Sequence, residues 1–261
     1  MEVPEEKARG APGIGPNVWP SPTEIPSFRR DVYGLYEELS QASSMLFKVF
    51  ACALDLPPDE FEKHARSQRQ RSVMRLLRYP PKQKDDRGDD DDDDDVGISA
   101  HTDFECFTLI HQSSQGLQVL ARGEEGGPAC WIDVPPYPTS SLSTGGGGGN
   151  PSSTFVVLIG DMLECWTNET LTATPHRVMV SKSSSGMARS SIIRFNGLDN
   201  EAHVKPHRAF GEPRGKYAQG IKQGLHLEQA AKKAQINTNA LLKKKKIPRS
   251  KYEGTTTLKT F

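Results

Sequence analysis

The sequence predicts a mainly β fold, an all-β barrel or double-sheet jelly roll core with an N-terminal helix packed against it. From Ser72 to about residue 197, apolar side chains recur at every second position, the period of a strand with one buried face. Gly, Pro, Ser and Asp break this region into short segments, as turns between strands require. Ahead of it lies one stretch whose apolar period is near 3.6, which is helical.

Residues 1–27 are rich in Pro, Gly and charge and read as a mobile lead-in. From Asp31 to Leu54, the side chains Val32, Leu35, Tyr36, Leu39, Ala42, Leu46, Val49, Phe50 and Ala53 form one apolar stripe on a long helix. Pro57 and Pro58 are expected to stop it. Asp59, Glu60 and Glu62 then favour a short second helix, because acidic side chains complement the positive N-terminal end.

Eight strand segments follow: Val73 to Tyr79, Gly97 to His101, Phe107 to His111, Leu117 to Leu120, Trp131 to Val134, Phe155 to Ile159, His176 to Val180 and Ser190 to Asn196. Eight strands suit a jelly roll. Gly160-Asp161 reads as a tight turn, and Trp131, Phe155 and Trp166 as core. Two low-complexity insertions, 85–95 and 140–153, cannot bury a core and are expected to be solvated loops. The aspartate run in the first lacks the glycine and glutamate spacing of an EF-hand. A further helix is expected from Leu225 to Leu242, before a basic end. The expected organisation is a lead-in at 1–27, one domain over 28–210 and a basic helix and tail over 211–261. Within the domain, the helical lead covers 28–70 and the barrel 72–206.

Lys plus Arg equals Asp plus Glu at 33 each and the hydrophobic fraction is 35%, a balance that favours neither nucleic acid nor wholesale disorder. Four cysteines show no CxxC pair and no zinc-type spacing, which suits a reducing compartment. Nothing in the first thirty residues resembles a signal peptide, and no apolar run is long enough for a membrane helix. The expectation is a cytoplasmic monomer that acts on a small molecule, with neither nucleic acid nor membrane as partner. Lys243 to Lys246 reads as a charged tail, with a nuclear signal as the alternative.

The chemistry concentrates in two places. In Ala100-His101-Thr102-Asp103 the two ligand-type side chains stand two residues apart at a strand end, so alternation points both to one face. His176 opens another predicted strand, 75 residues later (176 − 101). Two imidazoles and one carboxylate on one side of a metal form the facial triad of non-haem Fe(II) oxygenases. An isolated His-x-Asp arises by chance in many chains. The other five histidines (His64, His111, His203, His207 and His226) lack such context and read as structural or surface residues. The second place is Arg189-Ser190-Ser191, where a guanidinium fork and a hydroxyl on one strand face can hold a carboxylate.

Several stretches in order resemble the isopenicillin N synthase-like group of Fe(II)/2-oxoglutarate oxygenases. They are 74–81 (MRLLRYPP), 97–104 (GISAHTDF), 116–119 (GLQV), 160–163 (GDML), 166–168 (WTN), 174–178 (TPHRV) and 189–191 (RSS). The resemblance covers roughly residues 14–206. Family members usually carry a further N-terminal segment, so the chain reads as an N-terminally short member. The resemblance implies a double-stranded β-helix core with iron held by His101, Asp103 and His176, with Arg189, Ser191 and Tyr79 on the distal carboxylate of 2-oxoglutarate and dioxygen as co-reactant. It implies a dioxygenase that couples oxidative decarboxylation of 2-oxoglutarate to hydroxylation, desaturation or ring closure of a small organic substrate. Two alternatives stay open: a related iron oxidase that does not use 2-oxoglutarate, and a catalytically silent β-barrel interaction protein. Phe104, next to Asp103, is a candidate for the substrate pocket, and Arg177 a candidate partner of His176.

Overall fold

The computed structural model describes residues 17–65, 72–80, 96–123, 127–136, 154–179, 188–230 and 232–233. The insertions at 85–95 and 140–153 and the basic run from Lys243 fall outside the described residues. Contacts divide the chain into two units: residues 1–71, 198–202 and 222–261 form one, and 72–197 with 203–221 the other. No helix among the described residues is long and apolar enough to cross a membrane.

In the first unit, helix α1 (Phe28–Ala53) buries Leu39, Ser43, Phe47 and Ala51, spaced four apart on one face. That face differs from the expected stripe, since Val49 is exposed and Phe47, which the stripe omits, is fully buried. Phe47 takes the interior, while Phe50 from the expected stripe is only half-buried. Ser43 joins it because its hydroxyl donates to the Leu39 carbonyl at 2.7 Å, so no donor is stranded. The helix stops before the prolines, where Asp55 adopts φ 57°. Helix α2 (Glu62–Ala65) is one turn long, and its buried Glu62 accepts a hydrogen bond from Ser44 and faces Lys48 at 3.7 Å. Residues 223–230 are helical, and the rest of the expected Leu225 to Leu242 helix lies almost wholly outside the described residues.

The second unit holds two four-stranded antiparallel sheets. Its strands are β1 (Val73–Tyr79), β2 (Val96–His101), β3 (Phe107–Gln112), β4 (Leu117–Ala121), β5 (Cys130–Asp133), β6 (Val156–Ile159), β7 (His176–Met179) and β8 (Arg189–Asn196). All eight match the predicted segments to within a residue at either end, Val180 lying outside the described residues. One sheet runs β1-β8-β3-β6 and the other β2-β7-β4-β5. This is the expected jelly roll. Ile110, Leu158 and Ile193 from the first sheet meet Leu117 from the second in a buried cluster, with Leu77, Phe195, Val119 and Val134 packed around it. The cluster seals the space between the sheets.

Two expectations need correction. Gly160-Asp161 is no tight turn: Gly160 caps helix α3 (Asp161–Trp166), all six residues of which are buried. Its missing side chain lets the backbone of 103–105 come close, and the amides of Gly160, Asp161 and Met162 donate to the carbonyls of Cys106, Asp103 and Glu105. A strand-to-helix junction with Asp and Glu ahead of a short apolar run carries little periodicity, so pattern alone misses it. Trp131 is not core either. It stands half-buried on the outer face under the Arg177 guanidinium, 4.3 Å from its ring centre.

Just after α3, Asn168 (φ 49°) sends its amide to the carbonyls of Phe210 and Glu212 beyond β8, both at 2.9 Å, and accepts from the Arg214 amide at 3.1 Å. This ties 208–217 to the end of α3, in the barrel unit, whereas the sequence suggests a tail past residue 210. Leu117 sits at the centre of the inter-sheet cluster, 1% exposed. Leu117→Ala is expected to lower unfolding stability by about 2–5 kcal/mol, read as a shifted denaturant midpoint at unchanged slope.

Candidate metal centre

Strand register brings the two predicted imidazoles together. His101, the last residue of β2, pairs directly with His176, the first of β7, and the rings lie 4.4 Å apart between centres. Directly paired residues share a face, so His176 also shares one with Val119, its partner on β4. Asp103 follows β2 by two residues, where the Asp161 amide donates to its carbonyl at 2.8 Å. Its Oδ1 lies 3.6 Å from His101 Nε2 and 3.7 Å from His176 Nε2. One donor atom from each residue lies within 4.8 Å of the others, and no other such group occurs among the described residues.

The hydrogen bonds fix which ring nitrogen is free. His101 Nδ1 meets the Ser99 carbonyl at 2.8 Å and His176 Nδ1 the Thr174 carbonyl at 2.9 Å. A carbonyl only accepts, so each Nδ1 carries the proton, and in the neutral ring each Nε2 points a lone pair at Asp103. Burial, then the neighbouring His176, lowers the His101 pKa from its ordinary value, which favours the neutral ring. Two lone pairs and a carboxylate that is 3% exposed therefore converge on one point. Asp103 Oδ2, also buried, has no hydrogen-bond partner. Such a set repels itself unless a cation sits among its members, and borderline N and O donors suit a first-row divalent metal.

The second predicted constellation also assembles. Arg189, 5% exposed, pairs with Tyr79 across β1 and β8, and its guanidinium lies 5.3 Å from the Tyr79 ring centre. It donates to Ser191 Oγ at 2.8 Å, to Gln112 Oε1 at 3.0 Å and to the Gln115 carbonyl at 3.2 Å. Every one of these acceptors is neutral. Burial disfavours the charged form of Arg189, so this cation lacks a matching anion among the described residues.

Sequence reading misses Gln112, Gln115 and Gly116. Gln112 is held by its own donation to the Val134 carbonyl at 2.7 Å, so it orients the guanidinium rigidly. Gly116, at φ +140°, leaves the room that Arg189 uses. A Cβ there would stand 2.9 Å from Arg189 Nε and 2.5 Å from the Met179 carbonyl. Neither role leaves a local signature, because both depend on which strands become neighbours. Arg177 is not joined to the site: it points outward, with Nε donating to Gln118 at 2.7 Å. Phe104 is half-buried beside Asp103. Glu105 is buried two residues past Asp103, and burial pushes its pKa up to about 8.

A family model for the 2OG-Fe(II) oxygenase superfamily matches residues 69–197. A 2-oxoglutarate-dependent dioxygenase of Didymella fabae is 32% identical over 77% of this chain and 54% of its own length. A homoarginine-6-hydroxylase of Oryza sativa subsp. japonica is 29% identical over 84% of this chain and 59% of its own. The chain thus spans little more than half the length of these curated relatives. Among solved structures, a 2OG-Fe(II) oxygenase family protein of Caulobacter crescentus superposes with a TM-score of 0.64 at 29% identity, over 87% of this chain and 66% of that one. A full-length Neurospora crassa protein, crystallised in complex with alpha-KG, shares the fold, with a TM-score of 0.65 at 24% identity over 85% of this chain and 62% of that one.

Removing any one of three converging donors leaves a poorly held metal. Ala at His101, Asp103 or His176 is expected to lower Fe(II) affinity by roughly tenfold or more, given that changes outside the ligand set alone cost 10–100-fold. Metal content by mass spectrometry, on variants whose circular dichroism shows them folded, checks this. Undiminished iron in all three would remove the metal from the site.

Proposed function

The chain belongs to the 2OG-Fe(II) oxygenase superfamily, and on that premise we propose that it is an Fe(II)- and 2-oxoglutarate-dependent dioxygenase acting on a small organic substrate. One observation carries the reading. Among the described residues, the same barrel holds a buried anionic ligand set without a cation and a buried guanidinium without an anion. A divalent metal and a dicarboxylate are the pair of groups that answers both.

In this reading His101 and His176 give their Nε2 lone pairs and Asp103 a carboxylate oxygen to Fe(II). Their Nδ1 hydrogen bonds to Ser99 and Thr174 hold the rings in the required tautomer before any metal arrives. Arg189 and Ser191 receive the distal carboxylate of 2-oxoglutarate, and Tyr79 packs its ring against the guanidinium. Gln112 keeps the guanidinium plane fixed, so little side-chain freedom is lost on binding. When bound, Fe(II) with dioxygen supplies the oxidative decarboxylation of 2-oxoglutarate to succinate and carbon dioxide, coupled to oxidation of the substrate. The cluster of Ile110, Leu117, Leu158 and Ile193 limits water beneath the site. Phe104 is placed in the substrate pocket for its position next to Asp103.

Arg189→Lys separates a 2-oxoglutarate enzyme from a generic iron protein. A lysine keeps the charge but loses the planar fork that meets Ser191 and Gln112 together. One lost charge-assisted hydrogen bond costs on the order of 1.5–3 kcal/mol. The expected outcome is an apparent 2-oxoglutarate affinity about tenfold weaker or worse, with iron content unchanged, read from succinate formation against 2-oxoglutarate concentration. Equal affinities in the two proteins would make Arg189 structural.

A further inference from the structure

A second arginine on the same inner face has no role in the assembly above. Arg75 lies two and four residues before Leu77 and Tyr79 on β1, so alternation turns it to the side that carries them. The register confirms the side: Arg75 pairs with Ile193, a member of the inter-sheet cluster. Its guanidinium stands 5.1 Å from the centre of the Phe195 ring. The residue lies four residues, about 13 Å along the strand, from Tyr79 on this same face. Unlike Arg189, Arg75 is exposed, and no hydrogen bond or ion pair holds its head group among the described residues.

Charge accounting says what such a group is for. In the proposed site the two positive charges of Fe(II) and the one of Arg189 cancel the one negative charge of Asp103 and the two of 2-oxoglutarate. The loaded centre is then neutral without Arg75, whose exposed head group leaves one positive charge uncompensated on this face of β1. We propose that Arg75, braced on Phe195, recognises an anionic group on the substrate, so that the enzyme selects substrates bearing a carboxylate or similar anion. The assignment rests on the function proposed above. Its chemistry is ordinary: a planar guanidinium backed by an aromatic ring presents two parallel N–H donors to a carboxylate. The aromatic support keeps the fork oriented in the absence of ligand, which reduces the entropy lost on binding.

The test uses wild type, Arg75→Gln and Arg75→Lys, each loaded anaerobically with Fe(II) and saturating 2-oxoglutarate. Loading is verified in each by the metal-to-ligand charge-transfer absorption. The probes are three acids with their neutral amides: benzoate and benzamide, 3-phenylpropionate and 3-phenylpropionamide, hexanoate and hexanamide. Binding is measured by equilibrium dialysis, and a charge-transfer band that persists with the acid present shows that 2-oxoglutarate was not displaced from Arg189.

At least one acid is expected to bind wild type about tenfold tighter than its amide. That preference should fall to less than about threefold in Arg75→Gln and be partly restored in Arg75→Lys, with the band unchanged throughout. Acid and amide binding equally to wild type, no acid binding at all, or a preference that survives Arg75→Gln would each overturn the assignment. So would a thermal destabilisation of Arg75→Gln with the preference intact, since Arg75 would then serve only the fold. Failure of wild type to develop the charge-transfer band would instead count against the function on which the assignment rests.

Discussion

Asp103 and Arg189 are buried charges that the described chain leaves without a counter-charge. An ion in a low-dielectric interior is expensive unless something of opposite sign accompanies it. Two such ions of opposite sign, Arg189 held by neutral hydrogen-bond partners and Asp103 set between two imidazoles, fit one small barrel if ligands complete them. Much of the surrounding structure keeps them in place. Gly160 and the α3 amides hold the backbone of 103–106, the β2–β7 register sets one imidazole against the other, and Gly116 clears the space for the guanidinium.

The two-sheet architecture does the positioning. Residues that pair across antiparallel strands face the same way, so a side chain's neighbours follow from register rather than sequence distance. His101 and His176 meet at one end of β2-β7-β4-β5, while Tyr79, Arg189, Ser191 and Gln112 gather through the β1–β8 and β8–β3 pairings of the other sheet. The apolar cluster between the sheets holds the two sets of polar groups in one interior. Stability and function share this scaffold.

Period-2 alternation and turn residues make the eight strands of the two large sheets legible, though not the short pair His203–Val204 and Ile221–Lys222, and the His-x-Asp spacing with a later histidine at a strand start makes the candidate ligand set legible. Both signals are local. Elements whose signal is not local are harder to read. The buried face of α1 turns on Phe47 in place of the Val49 side, because several apolar faces are available and tertiary packing chooses among them. Helix α3 is too short to display a period, and a close backbone approach, not a turn, explains Gly160. Gln112 and Gly116 matter only through Arg189, which lies more than seventy residues away in sequence, at 77 from Gln112. A single sequence carries no trace of that proximity.

The claim that these two uncompensated charges are one site for a metal and a dicarboxylate is open to direct measurement. The purified protein would be titrated anaerobically with Fe(II) in the presence of 2-oxoglutarate while its visible absorption is followed. Chelation of one iron by the keto acid in the barrel predicts a metal-to-ligand charge-transfer band that saturates at one equivalent of Fe(II) and needs both components. Iron bound at one equivalent with no such band would contradict the dicarboxylate half of the account, and no stoichiometric iron binding would contradict it entirely.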